Sequence, residues 1–124
     1  MLKDNIRDYS ISAFRYYAVI TKFNRKTPDR VEIPNTMNKA EVLDLLAVKK
    51  TIESLEKMKN GKNRVEILDL VYFSEPNKPL KRNDITHRVH KASLQFFFSE
   101  RQIYYYLREA VEIFAREREL RIGK

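Results

Sequence analysis

The chain has 124 residues, with 25 Lys/Arg against 17 Asp/Glu for a formal net charge of +8, 43% hydrophobic residues and no cysteine. That length can bury a modest core in one domain's worth of chain, and the apolar content argues against wholesale disorder. Without cysteine there is no disulfide framework and no thiolate metal site. The apolar runs fall far short of a membrane span and "MLKDNIRDYS" has no signal core, so a soluble cytoplasmic protein without membrane contact is expected.

The positive charge is concentrated. Residues 76–108 carry seven Lys/Arg against two Asp/Glu, residues 1–75 carry fourteen against eleven, and residues 109–124 are balanced at four each. A focused basic segment attracts polyanions, although a solvated Lys/Arg surface has the same composition.

In chain order, the first periodic segment runs from about Asp4 to Phe23. Ile6, Tyr9, Ala13, Tyr16, Ile20 and Phe23 recur at steps of three and four, and Phe14 and Tyr17 widen the stripe. This period predicts a helix, with Tyr16 and Tyr17 at the edge of its core face. Two prolines then mark "NRKTPDRVEIPNTM" as a loop, whose Lys22, Arg25, Lys26 and Arg30 form either a second phosphate patch or a solvated surface.

Asn38 followed by Glu41 is a capping-box pattern opening a second helix. Its stripe is Val42, Leu45, Leu46, Val48, Ile52, Leu55 and Met58. Asn60–Gly61 is expected to end it, with the glycine in the left-handed position and Lys57 and Lys59 in the last turn. "RVEILDLVYF", residues 64–73, predicts a short and largely buried helix, since Glu66 and Asp69 fall at helical rather than alternating positions. After the Pro-containing loop "SEPNKPLK", "RNDITHRVHKA" starts a further helix near Arg82 or Asn83, with Ile85, Val89 and Ala92 on one face.

Six of the fourteen aromatic residues lie within residues 96–106, in "FFFSERQIYYY". Ser99 and Gln102 form a capping box, and Phe98 and Ile103 the two ends of a hydrophobic staple, so a helix starts at Glu100 and the FFF run belongs to the turn before it. Phe96 and Phe97 are expected to plug the space between the helices. At about 100° per residue, Ile103, Leu107, Ala110 and Phe114 share one arc, with Tyr106 and Val111 at its margins. Arg101, Tyr104, Tyr105, Arg108, Glu112 and Arg116 face the other way. Two large rings between arginines on the first turns suit a helix that enters a DNA major groove. Packing on the N-terminal helices or on a second subunit is the competing account.

The stretch "TIESLEKM…RVEILDLVYF…NDITHRV…SERQIYYYLREAVEIFARE", roughly residues 48–118, resembles the C-terminal part of phage ArpU/RinA-type transcriptional regulators. These in turn resemble the sigma-factor region 4 helix-turn-helix. The helical periods predict an all-α small helical bundle, with an N-terminal helical segment over 1–61, and the resemblance implies a helix-turn-helix region over 62–124; one continuous domain is the alternative. The resemblance also implies a phage- or prophage-encoded regulator that binds double-stranded DNA, with RNA polymerase as a further partner and a homo-oligomer as one possible assembly. Carried onto this chain, the base-reading positions are Glu100, Arg101, Gln102, Tyr104, Tyr105 and Arg108. The phosphate positions are Lys81, Arg82, Thr86, His87 and Lys91. Gln102 serves either as capping partner or as adenine reader. One departure is the fourteen-residue distance from Ile85 to Ser99, about twice the usual, so that "HKASLQFFF" lengthens either the first helix or the turn.

Other chemistry is sparse. His87 and His90 lack a third ligand for a metal, two glycines allow no phosphate-cradling loop, and Glu53, Glu56, Glu109 and Glu112 look like solvated helix faces. No metal, cofactor or enzymatic activity is expected. The alternative function is a non-enzymatic phage assembly or adaptor protein that holds another chain through the aromatic face.

Overall fold

The computed structural model describes residues 2–21 and 38–119, and the side chains from residue 5 onward. The expectations placed on Lys22, Phe23 and the 24–37 loop, with its Arg25, Lys26 and Arg30, lie outside the described residues. Among the described residues there are five helices: α1 (Leu2–Thr21), α2 (Lys39–Glu56), α3 (Gly61–Leu68), α4 (Asp84–Phe96) and α5 (Glu100–Glu117). Among the described residues there is no strand, and the fold is an all-α small bundle, as the periodicity predicts.

The start of α2 has a local cause. Asn38 caps α2 by accepting from the Glu41 amide at 2.9 Å, while its own amide donates to the Glu41 carboxylate at 2.9 Å. Residues that follow bury Leu45, Ala47, Val48, Ile52 and Leu55. Leu46, placed on the core stripe by its spacing, is instead 40% exposed.

The α2–α3 junction differs from expectation. The helix ends at Glu56, so Lys57 and Lys59 lie beyond its last turn, and the left-handed residue is Asn60 (φ 59°) rather than Gly61. Gly61 opens α3 pressed against the end of α2: a Cβ there would lie 2.7 Å from the Leu55 carbonyl oxygen and closer still to that of Glu56. Its missing side chain therefore serves close approach.

Helix α3 starts three residues before the expected Arg64, and Asp69–Phe73 continues it as a π turn. Widening a helix this way strands carbonyls that need outside donors. Two arginines supply them. Arg88 of α4 donates to the Val71 carbonyl at 2.9 Å, and Arg15 of α1 donates to those of Tyr72 and Ser74 at 3.1 Å, Glu75 at 2.7 Å, and Lys78. Burial, then the nearby Arg88, lowers the Arg15 pKa. These bonds fix the 74–78 loop that leads into α4.

One hydrophobic core draws on all five helices and crosses the 61/62 boundary. Phe14, fully buried, is at its centre, with ring centroids 5.8 Å from Tyr72, 6.1 Å from Phe73 and 5.4 Å from Phe114. The core face of α1 is thus centred on Ile11, Phe14, Tyr17 and Ala18. Tyr16, expected at the core edge, and Tyr9, placed on the stripe, are 37% and 41% exposed; their hydroxyls end on Glu41 and Asp44. Tyr17, expected at the edge, is fully buried. Asp44 also takes Arg118 at 2.6 Å, which ties α1, α2 and the end of α5 together and raises the Arg118 pKa through that hydrogen bond.

Candidate nucleic-acid interface

The α4–turn–α5 unit is built from backbone conformation upward. Asp84 accepts from the Lys81 amide at 2.7 Å and fixes the entry to α4, behind Asn83 in the left-handed region (φ 73°). Helix α4 runs to Phe96, so the extra residues lengthen the helix and leave a connection of only Phe97, Phe98 and Ser99. Phe96 is therefore helical and half-buried. Phe97 turns the chain at φ 61°, its amide donating to the Ser93 carbonyl at 3.0 Å, while the Ser93 hydroxyl donates to the Phe98 carbonyl at 2.6 Å. Phe97 does not plug the core: it is 92% exposed, because a left-handed end cap points its side chain away from both helices.

Ser99 then adopts the extended conformation of an N-cap and accepts from the Gln102 amide at 3.1 Å. Phe98 packs edge-on against Tyr106 with centroids 5.4 Å apart, and Ile103 is fully buried. Tyr106 is held further by Asn60, whose amide donates to its hydroxyl at 3.1 Å, and by the Arg64 guanidinium 4.3 Å from its ring centroid. Arg64 also pairs with Glu109 at 3.1 Å, so Glu109 is a partly buried anchor for α3 rather than a solvated carboxylate.

With Ile103, Tyr106, Leu107, Ala110, Val111 and Phe114 turned inward, Arg101, Tyr104, Tyr105, Arg108, Glu112 and Arg116 are all exposed. Their i, i+3, i+4, i+7 spacing makes one stripe. The Arg108 guanidinium lies 5.5 Å from the Tyr105 ring centroid and 3.9 Å from Glu112. Among the described residues Arg101 joins no ion pair. Gln102 is half-buried, with its backbone committed to the cap, and Glu100 meets His90 of α4 at 3.3 Å. Glu100 is therefore engaged within the protein and lies at the seam between the helices.

The residues of the preceding segment fall in two groups. Lys81 and Arg82 stand exposed at the entry to α4, and Thr86 is exposed on its first turn. His87, His90, Lys91 and Leu94 form a second outward stripe at helical spacing, which Phe97 extends. Lys81, Arg82 and Lys91 join no ion pair among the described residues. No group of three metal-ligating side chains occurs among the described residues, and no helix there is long and apolar enough to cross a membrane.

Protein-family models, curated proteins and solved structures give no match to this chain. Sequence reasoning missed two features of this surface. Leu94 lies three and four residues from Lys91 and His90, a spacing that marks it as outward. For Phe97 there was no local signal, because a left-handed cap is ordinarily glycine or asparagine.

Proposed function

We propose that the protein is a sequence-specific double-stranded-DNA-binding transcriptional regulator, phage or prophage encoded, of the kind that ArpU/RinA-type regulators represent. The observation that carries this reading is the stripe Arg101, Tyr104, Tyr105, Arg108 on the first turns of a Ser-capped helix, open to solvent, with Lys81 and Arg82 exposed before α4 and Lys91 exposed on it. Helix α5 enters the major groove N-terminus first. Arg101, in no ion pair among the described residues, forks onto guanine O6 and N7. The tyrosine rings pack on base edges, and Lys81, Arg82, Thr86, His87 and Lys91 contact phosphate. Glu100, tied to His90, orients α4 against α5, and Gln102 acts as part of the cap. Protein-side chemistry is confined to binding, in the cytoplasm, without cofactor; RNA polymerase and a second copy of the chain are the further partners of this proposal.

The test is a titration of labelled duplex against salt. Log affinity should fall linearly with log salt, with a slope of about −0.9 per phosphate neutralised. Affinity indifferent to salt, or no binding at low ionic strength, would rule the reading out.

A second reading, a phage assembly or adaptor protein, is favoured by the adjacent exposed rings of Tyr104 and Tyr105, since Tyr beside Arg is typical of protein hot spots. It predicts purified protein free of nucleic acid, judged by its ultraviolet absorbance ratio. A complex that dissolves on joint Tyr104→Ala and Tyr105→Ala substitution would also be expected.

A further inference from the structure

Phe97 (92% exposed) and Leu94 (66%) are the most exposed large hydrophobic side chains among the described residues, and neither has a part in the contacts described above. Phe97 is unfavourable twice over. Its backbone occupies the left-handed region at φ 61° and ψ 36°, which glycine takes freely and a bulky L residue only at a cost. Its ring adds nothing to the core, which Phe96 and Phe98 pack against on either side. Residues strained in this way cluster where a ligand is held.

The location is informative. Phe97 extends the outward stripe of α4 (His87, His90, Lys91, Leu94) and precedes Arg101 by four residues. The nearby exposed cations Lys91 and Arg101 have no acidic partner among the described residues, while the carboxylate of Glu100 lies 3.3 Å from His90. An apolar pair inside a basic rim complements a polyanion with apolar groups between its charges. Duplex DNA has that layout, with thymine methyls on the groove floor between two phosphate backbones.

We infer that Phe97, with Leu94 behind it, is a specificity contact that packs on a thymine 5-methyl group in the groove that α5 enters. This rests on the DNA-binding reading above. Duplexes selected from a random-sequence pool by the intact protein provide the probe. Each thymine of the selected site is replaced in turn by uracil, which lacks only the methyl, and both versions are titrated at fixed salt with wild-type and Phe97→Gly protein. At one thymine, wild type should lose roughly fourfold in affinity on the uracil duplex, the worth of one buried methyl. Phe97→Gly, already weaker by about tenfold or more from the lost ring, should lose nothing further there. Glycine suits the left-handed backbone, so the variant keeps its helical circular dichroism and melts no lower than wild type; Phe97→Leu recovers part of the affinity.

A pool that yields no bound duplex defeats the DNA-binding reading and this inference together. Selected duplexes that Phe97→Gly binds as tightly as wild type, or uracil duplexes that weaken both proteins equally, overturn the inference alone. Loss of a self-associated species in light scattering on Phe97→Gly, with duplex affinity unchanged, also overturns it and assigns the turn to a protein contact.

Discussion

The two halves of α5 carry the same amphipathic pattern and end in different environments. In the first half, Glu100–Arg108, only Ile103, Tyr106 and Leu107 are buried, and the opposite stripe is open. In the second half Ile113 and Ala115 are buried as well, beyond the arc on which Ala110, Val111 and Phe114 lie. The neighbours make the difference. The first half leans on α3 and on the turn before α5 through Tyr106, which meets Arg64 and Phe98. The second half is gripped by α1 and α2: Phe114 meets Phe14 and Tyr9, and Arg118 meets Asp44. One helix thus serves as a core strut at one end and a free face at the other.

Substitutions should separate the two ends. The largest effect is expected at the buried end, where Phe114→Ala should destabilise the fold by about 3–5 kcal/mol, seen as a lower urea midpoint. Alkaline titration probes the same packing. Burial pushes the phenols of Tyr17 and Tyr72 up to about 12, whereas the unfolded chain ionises near 10.0. The folded state therefore keeps protons that the unfolded state has released, and stability falls as pH rises from 10 toward 12, by a few kcal/mol at most for each group, on the order of 1.4 kcal/mol per pH unit. Chemical denaturation should be flat just below that window and decline within it.

At the open end, Arg101→Ala should weaken binding to the selected duplex by about 1–3 kcal/mol and broaden sequence preference at one position, leaving the urea midpoint unchanged. A uniform loss across all sequences would make Arg101 a phosphate contact instead. Ser99→Ala removes a capping acceptor and should cost about 1 kcal/mol of stability. Joint Tyr104→Ala and Tyr105→Ala should cost less than ~1 kcal/mol in folding while greatly reducing duplex binding. Should that pair unfold the protein, the contrast between the halves collapses.

Local signals served the sequence reading well where the cause was local. Asn38 with Glu41 and Ser99 with Gln102 place two helix starts, because a cap and its partner lie within four residues. The outward stripe of α5 follows from period alone. Signals were silent where distant chain decides the outcome. The role of Gly61 depends on the end of α2 pressing on it, and the π turn after Leu68 depends on Arg15 and Arg88 meeting its carbonyls. Tyr17 and Tyr16, adjacent and chemically identical, differ in that Tyr17 is buried in the core while Tyr16 stays exposed and reaches Glu41 of α2 with its hydroxyl.

By itself, the sequence determined an all-α chain, the starts of α2 and α5, the concentration of positive charge over residues 76–108 and the polar face of α5, since capping, period and composition act over one or two turns. Tertiary structure alone decided which side chains of an amphipathic helix become core, that Phe97 projects into solvent, and that Glu100 turns to His90. These depend on the number and placement of packing partners, which come together only when helices far apart in the chain meet.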